Sequence, residues 1–109
     1  RRDPRLTSGT DFASARRHGR SWSDRALVLL ARPNNLGVSR YGFSVGKRVG
    51  NAVVRNKMKR RLKEAARVTQ VQKGWDLVLI ARKDASSSDF HSLSRSMTDL
   101  FRRAGVLEH

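Results

Sequence analysis

The spacing of apolar residues between positions 51 and 68 predicts an amphipathic helix. At 100° of rotation per residue, four apolar side chains fall within a stripe about 80° wide, namely Val54, Met58, Leu62 and Ala65. Polar and basic side chains occupy the opposite side, and these are Asn56, Lys59, Arg60, Lys63 and Arg67. Asn51 after Gly50 is a suitable N-cap. One face can therefore pack on a core while the other meets solvent or a polyanion.

Three other stretches have the patterns of strands. Residues 40–45 alternate, which places Tyr41, Phe43 and Val45 on one face. Residues 75–81 form the clearest buried strand, an apolar run that contains Asp76. From about position 21 to 32 the chain is also strand-like, with a continuous apolar run over residues 27–31, and a turn signal follows at residues 33–37.

Helices are predicted near both ends of the chain. Residues 1–9 look irregular and basic, and Thr10 and Asp11 can cap a short helix that runs to about Arg17. Residues 86–89 supply N-cap candidates for a last helix that Gly105 ends. Its apolar face consists of Phe90, Leu93, Met97, Leu100, Phe101 and Ala104. The pattern predicts one α+β domain over residues 1–109, with helices packed on a single sheet.

The net charge of the chain indicates what class of partner it binds. The 109 residues carry a net charge of +15, and the stretch 47–67 holds nine of the 24 basic residues with Glu64 as its only acid. Such an excess favours nucleic acid over acidic protein or lipid as the partner.

No apolar run approaches the roughly 18 residues of a membrane span. The polar, basic beginning lacks a signal-peptide pattern and there is no cysteine, so a cytoplasmic protein is expected. Residues 107–109 have the look of a tag remnant.

Catalytic motifs are missing from the sequence. The nine acids are scattered, the histidines at 18 and 91 lack ligand-like spacing, and no serine has an evident base. The segment 42–48 resembles a phosphate loop but lacks its glycine spacing and the Ser or Thr after Lys47. The chain by itself is therefore not expected to be a catalyst, and metal positions are left open.

The basic face instead predicts binding to structured RNA, whose grooves favour contacts to shape and phosphates. The predicted RNA-binding residues are Lys47, Arg48, Asn51, Arg55, Asn56, Lys57, Lys59, Arg60, Lys63 and Arg67. Backbone N–H groups at the start of the helix offer a further phosphate position. Phe12, Tyr41 and Phe43 either belong to the core or stack on unpaired bases.

The segment Gly50 to Arg61 resembles the Arg-Asn-Arg signature helix of the bacterial ribonuclease P protein subunit. Further matches follow in family order at Arg5-Leu6, Asp11-Phe12, His18-Gly19, residues 42–45 with Lys47-Arg48, and residues 76–83. The resemblance covers about residues 5 to 104. It implies an α-β-β-β-α-β-α fold with one four-stranded sheet and a left-handed β-α-β crossover around the signature helix.

The resemblance also implies a function. The protein would bind a catalytic RNA and the 5′ leader of precursor tRNA, and the ribonucleoprotein would remove that leader with Mg²⁺ held mainly by the RNA. The expected leader-binding residues are Phe12, Arg16, Val28, Leu30 and Phe43. Arg16 and Leu30 stand where the family usually has aromatic residues, so the cleft is expected to depend less on stacking. Lys57 replaces the third signature residue and lacks the bidentate fork of arginine.

Two other functions compete with this interpretation. The first is a ribosomal or chaperone-like protein that binds structured RNA without a catalytic assembly. The second is a DNA-binding module, which is disfavoured because a strand follows the basic helix where a helix-turn-helix would have its partner helix. We expect neither DNA nor a membrane as a partner.

Overall fold

A computed structural model describes residues 19–108, in which four strands form one sheet and two α-helices pack on one of its faces. The elements in chain order are β1 (Arg20–Ser23), β2 (Leu27–Pro33), β3 (Arg40–Val45), α1 (Ala52–Val68), β4 (Trp75–Ala81) and α2 (Phe90–Ala104). Short 3₁₀ turns, Lys47–Val49 and Lys83–Ser87, precede the α-helices. The helix predicted over residues 10–17 lies outside the described residues. No helix within residues 19–108 is long and apolar enough to cross a membrane.

The strand order in the sheet is β1-β2-β4-β3. β2 runs antiparallel to both β1 and β4, whereas β3 and β4 are parallel and are joined through α1. A parallel pair needs such a crossover, because a tight turn can only join antiparallel strands. The predicted α+β fold with one four-stranded sheet is confirmed. The left-handed sense of the crossover stays a prediction.

A tight turn divides the strand-like stretch predicted over residues 21–32 into β1 and β2. The Asp24 carboxylate accepts hydrogen bonds from the backbone N–H groups of Ala26 and Leu27, each at 2.9 Å, and from the hydroxyl of Ser96 on α2. Burial alone would raise the pKa of Asp24, but these hydrogen bonds and the charge of Arg103 outweigh it and lower the pKa. Asp24 therefore fixes the turn and joins it to α2.

The main core lies between the sheet and the two helices. Two strands and both helices contribute side chains that are 0–1% exposed: Leu27 and Leu29 from β2, Leu77 and Leu79 from β4, Met58, Leu62 and Ala65 from α1, and Leu93, Met97, Leu100 and Phe101 from α2. These are the stripes that the sequence pattern predicted for the helices. Burying each large apolar side chain stabilises the fold by about 1.5–3 kcal/mol.

The other face of the sheet, which we call the open face, has no described helix packed on it within residues 19–108. It carries a smaller apolar cluster in which Leu30 and Val78 are buried and Val28 and Ile80 are half-buried. The register places these side chains in adjacent rows, with Gly42 opposite Val78 and Ser44 opposite Ile80 on β3.

A buried ion pair closes one end of the open face. Asp76 is 2% exposed and receives two hydrogen bonds from the Arg40 guanidinium at 2.8 Å each and a third from Asn34 Nδ2 at 2.8 Å. Burial alone would raise the pKa of Asp76, but the hydrogen bonds from Arg40 and Asn34 and the positive charges of Arg40 and Arg32 lower it overall. The ion pair ties β3 to β4 at the start of both strands.

We expect Asp76→Asn to destabilise the fold by about 2–4 kcal/mol, somewhat less than the loss of one partner from a fully buried pair, because Arg40 keeps contact with solvent. Folding lowers the pKa of Asp76, so its contribution is complete above the ordinary carboxyl pKa of about 3.9 and is lost as the pH falls through the lowered value. Urea unfolding should therefore show a large difference between wild type and variant near pH 6, and a smaller one near pH 3.

Asp84→Asn is the matched control, because Asp84 is exposed and its carboxylate makes no hydrogen bond to a described residue. It should change the free energy of unfolding little at either pH. Equal stability of the Asp76 and Asp84 variants near pH 6 would show that the ion pair does not hold the strands.

Candidate nucleic-acid interface

The outer side of α1 displays a row of cations opposite its buried stripe. Lys57, Lys59, Arg60 and Lys63 are all exposed, and none of them makes an ion pair with another described residue. Asn56 is also exposed on this side. The structure thus brings together the central part of the predicted RNA-binding set. We call these five residues the α1 cationic face.

Arg67 differs from its neighbours because it is paired. Its guanidinium donates to both carboxylate oxygens of Glu64, at 2.6 and 3.1 Å. The hydrogen bonds from Arg67 lower the pKa of Glu64. The pairing follows from the spacing, because side chains three residues apart lie close together on the surface of a helix.

Two arginines of α1 are half-buried at the edges of the cationic face. Arg55 keeps its Nε buried without a hydrogen-bond partner among the described residues. Arg61 donates from Nη1 to the backbone oxygen of Ser88 at 3.4 Å, which links α1 to the segment before α2. Arg55 thus lies at the border of the predicted site, while Arg61, which the prediction left out, joins the two helices.

The start of α1 is tightly fixed. The Asn51 side chain accepts a hydrogen bond from Val54 N at 3.0 Å, which confirms the predicted N-cap. Lys47 and Arg48 are exposed in the 3₁₀ turn just before it, while Val49 is buried and anchors that turn. These two cations therefore lie near the positive end of the helix dipole, where both would attract a phosphate.

The predicted leader-binding residues do not lie on one surface. Val28 and Leu30 lie on the open face of the sheet. Phe43 is directly opposite Leu79 and therefore faces the helices, where its ring stacks with Tyr41 at 6.3 Å between centroids and 6° between planes. The sheet separates Phe43 from Val28 and Leu30, so the grouping is corrected. Phe12 and Arg16 lie outside the described residues.

Strand alternation would have found this error. Tyr41, Phe43 and Val45 share one face, so the residues of β3 that share the open face with Val28 are Arg40, Gly42 and Ser44. The sequence analysis also missed Ile80, which lies opposite both Val28 and Ser44 in the sheet. The alternation of β3 and β4, considered together, would have placed Ser44 and Ile80 on the open face.

The described acidic and histidine side chains do not form a metal site. No group of three or more His, Asp or Glu residues within residues 19–108 is arranged to hold a metal ion. The best-placed carboxylates are occupied instead, Asp24 and Asp76 by hydrogen bonds in the fold and Glu64 by Arg67. The described residues therefore offer no cluster of three such side chains for a metal ion.

Sequence comparison relates the chain to a family over nearly its whole length. The family model described as Ribonuclease P matches residues 1–105. A ribonuclease P protein component of Roseiflexus castenholzii is 43% identical over 107 residues, covering 95% of this chain and 88% of the relative. One from Clostridium botulinum is 34% identical over 108 residues, covering 96% of this chain and 97% of the relative.

Solved structures give the same relationship. The ribonuclease P protein of Staphylococcus aureus superposes with a TM-score of 0.89 at 29% identity and covers 98% of this chain and 100% of its own. The ribonuclease P protein of Thermotoga maritima superposes with a TM-score of 0.83 at 33% identity, covering 91% and 96%.

We expect Gly50→Ala to disturb the start of α1. A Cβ at this position would lie 2.8 Å from both Cβ and Cγ1 of Val54, so the first turn of the helix would have to move. Overpacking of this kind costs about 1–3 kcal/mol. Gly46→Ala is the matched control, because no atom lies within 4 Å of the added Cβ. Urea unfolding should find Gly50→Ala less stable, and equal stabilities would show that the first turn tolerates a side chain there.

Proposed function

This chain belongs to the ribonuclease P protein family, and we propose that it is the protein component of a cytoplasmic ribonucleoprotein that removes the 5′ leader from precursor tRNA. The ribonuclease P complex is a tRNA-processing endoribonuclease. In this proposal the α1 cationic face binds the catalytic RNA, and the open face of the sheet binds the leader.

The observation that carries the RNA contact is the set of unpaired cations on α1. Lys57, Lys59, Arg60 and Lys63 are exposed without an ion-pair partner among residues 19–108, on a helix whose opposite side is buried. Like charges at this spacing destabilise an isolated helix. RNA phosphates would neutralise these charges, and the counterions of the RNA would be released. Both effects would relieve the repulsion within the helix and favour binding.

The open face supports the leader contact. Val28 and Ile80 are half-buried and supply an apolar floor beside the buried Leu30 and Val78, and Arg32 and Arg40 lie at one end of it. A single strand can lay its bases on such a floor and place its backbone near the cations. Since Phe43 faces the other way, the described strands put no aromatic ring on this face. Leader binding would therefore depend on apolar contact and charge more than on stacking.

The catalytic centre is proposed to lie in the RNA subunit. No three His, Asp or Glu side chains among residues 19–108 are grouped to hold a metal ion, and the sequence lacks a nucleophile with a base. Mg²⁺ held mainly by the RNA would supply the hydrolytic chemistry. The role of this chain would be to add positive potential next to the RNA and to hold the leader, which raises the affinity for the substrate.

Reconstitution tests the proposed function. The protein is added to catalytic RNA and precursor tRNA at low Mg²⁺, where electrostatic help from the protein matters most. We expect stimulated cleavage at the 5′ end of the tRNA. Tight RNA binding without stimulation would instead favour a ribosomal or chaperone-like RNA-binding protein.

We expect Arg60→Ala and Lys63→Ala to weaken binding to the catalytic RNA. Each should reduce the slope of log affinity against log salt by about 0.7–0.9 for one lost phosphate contact. Neither side chain is buried, so the free energy of unfolding should change little. Titrations of labelled RNA at several salt concentrations measure the slope.

Leu62→Ala is the complementary control on the same helix. Leu62 is fully buried, so its truncation should cost about 2–5 kcal/mol of stability while the salt slope of the folded protein stays unchanged. If Arg60→Ala and Lys63→Ala unfold the protein and leave the slope of the folded fraction intact, the cationic face has a structural role.

A further inference from the structure

The outer side of α2 carries a second polar and basic surface that the proposed RNA and leader contacts do not use. Six side chains line a shallow groove along this side, namely His91, Ser94, Arg95, Thr98, Asp99 and Arg102. The groove extends about 17 Å along the helix, given a rise of 1.5 Å per residue. We call these residues the α2 outer face. They lie opposite the buried side of the helix.

The α2 outer face keeps a positive charge despite Asp99. Arg95 is exposed and makes no ion pair with any described residue. Asp99 is shared between Arg102 at 3.7 Å and Arg103 at 3.9 Å, and Arg102 is 66% exposed. Exposed ion pairs at these distances are weak, so a phosphate can compete with the carboxylate for Arg102.

The two helices lie side by side on the same face of the sheet, so the α1 cationic face and the α2 outer face both point away from it. Arg61 spans the seam between them through its hydrogen bond to Ser88 O. Asp89 also lies at this seam: the backbone hydrogen bond from Ser92 N is the main cause of its lowered pKa, and the charges of His91 and Arg61 add to it. The seam therefore carries the cation of Arg61 as well as the carboxylate of Asp89.

We propose that the α2 outer face binds phosphates of a second segment of the catalytic RNA, beside the segment held by α1. This inference rests on the function proposed above. The leader is excluded as the occupant because the open face lies on the other side of the sheet, which separates Val28 and Leu30 from α2. A large folded RNA that reaches α1 can extend directly over the neighbouring helix.

The chemistry of the α2 outer face favours RNA over an acidic protein. Hydroxyl groups at Ser94 and Thr98 alternate with the arginines, and hydroxyls and guanidinium groups are common donors to phosphate oxygens. The large exposed apolar residues of the described chain lie elsewhere, at Leu36, Val38, Val53 and Val68. A protein interface would need an apolar centre that this surface lacks.

The test compares two double variants of the full chain. Arg95→Ala with Arg102→Ala removes the two arginines of the α2 outer face. Arg25→Ala with Lys73→Ala removes two exposed cations that also lack an ion-pair partner among the described residues, one in the β1–β2 turn and one in the loop before β4. Binding to catalytic RNA without substrate is measured at several salt concentrations for both.

We expect the α2 variant to lose about 0.7–0.9 of salt slope per contact, which corresponds to about sixfold weaker binding per contact at 0.1 M salt, while the control keeps the wild-type slope. Arg95→Lys with Arg102→Lys should restore the slope, since the charge is kept. Thermal unfolding midpoints of the variants should match that of wild type.

Three results would overturn the inference: a slope unchanged relative to the control variant, a loss confined to precursor tRNA and dependent on leader length, or failure of the lysine variant to restore binding. These results are separable from failure of the proposed function. If the proposed function failed, the wild-type protein itself would not stimulate cleavage, and Arg60→Ala would not weaken binding to the catalytic RNA.

Discussion

The burial of one apolar stripe on α1 determines where this protein presents its positive charge. Met58 and Leu62 are 0–1% exposed against the sheet and α2, so the helix cannot rotate without exposing them. That constraint fixes Lys59, Arg60 and Lys63 on the outside as a rigid row. A flexible basic tail would have to order itself on binding, whereas this row is ordered before any proposed contact with RNA.

Three of the acidic residues lie at structural junctions. Asp24 fixes the β1–β2 turn to α2, and Asp76 ties β3 to β4 through Arg40. Asp89 caps α2 by accepting a hydrogen bond from Ser92 N. With a net charge of +15, these carboxylates stabilise positions where elements of the fold meet, and the outer sides of both helices keep an excess of cations. Stability and a strong positive potential are thereby combined in a chain of 109 residues.

The sheet divides the molecule into two surfaces with different chemistry. On one side, two helices present cations on rigid backbones, which suits a folded RNA with a regular phosphate backbone. On the other side, the open face presents a small apolar floor with arginines at one end, which suits an unpaired strand. In the proposed function, the catalytic RNA and its substrate would therefore contact different residues and would not compete.

Local patterns in the sequence determined the elements themselves. The apolar stripe of α1, the Asn51 cap, the alternation of β3 and the buried run of β4 all follow from spacing along the chain, because side-chain direction repeats every 3.6 residues in a helix and every two in a strand. The resemblance added the family and hence the expected partner. Only the tertiary structure decided which surfaces those side chains share. It turned the face of β3 that carries Phe43 toward the helices and placed the outer side of α2 beside that of α1, because these relations depend on strand register and helix packing between distant residues, which local spacing does not encode.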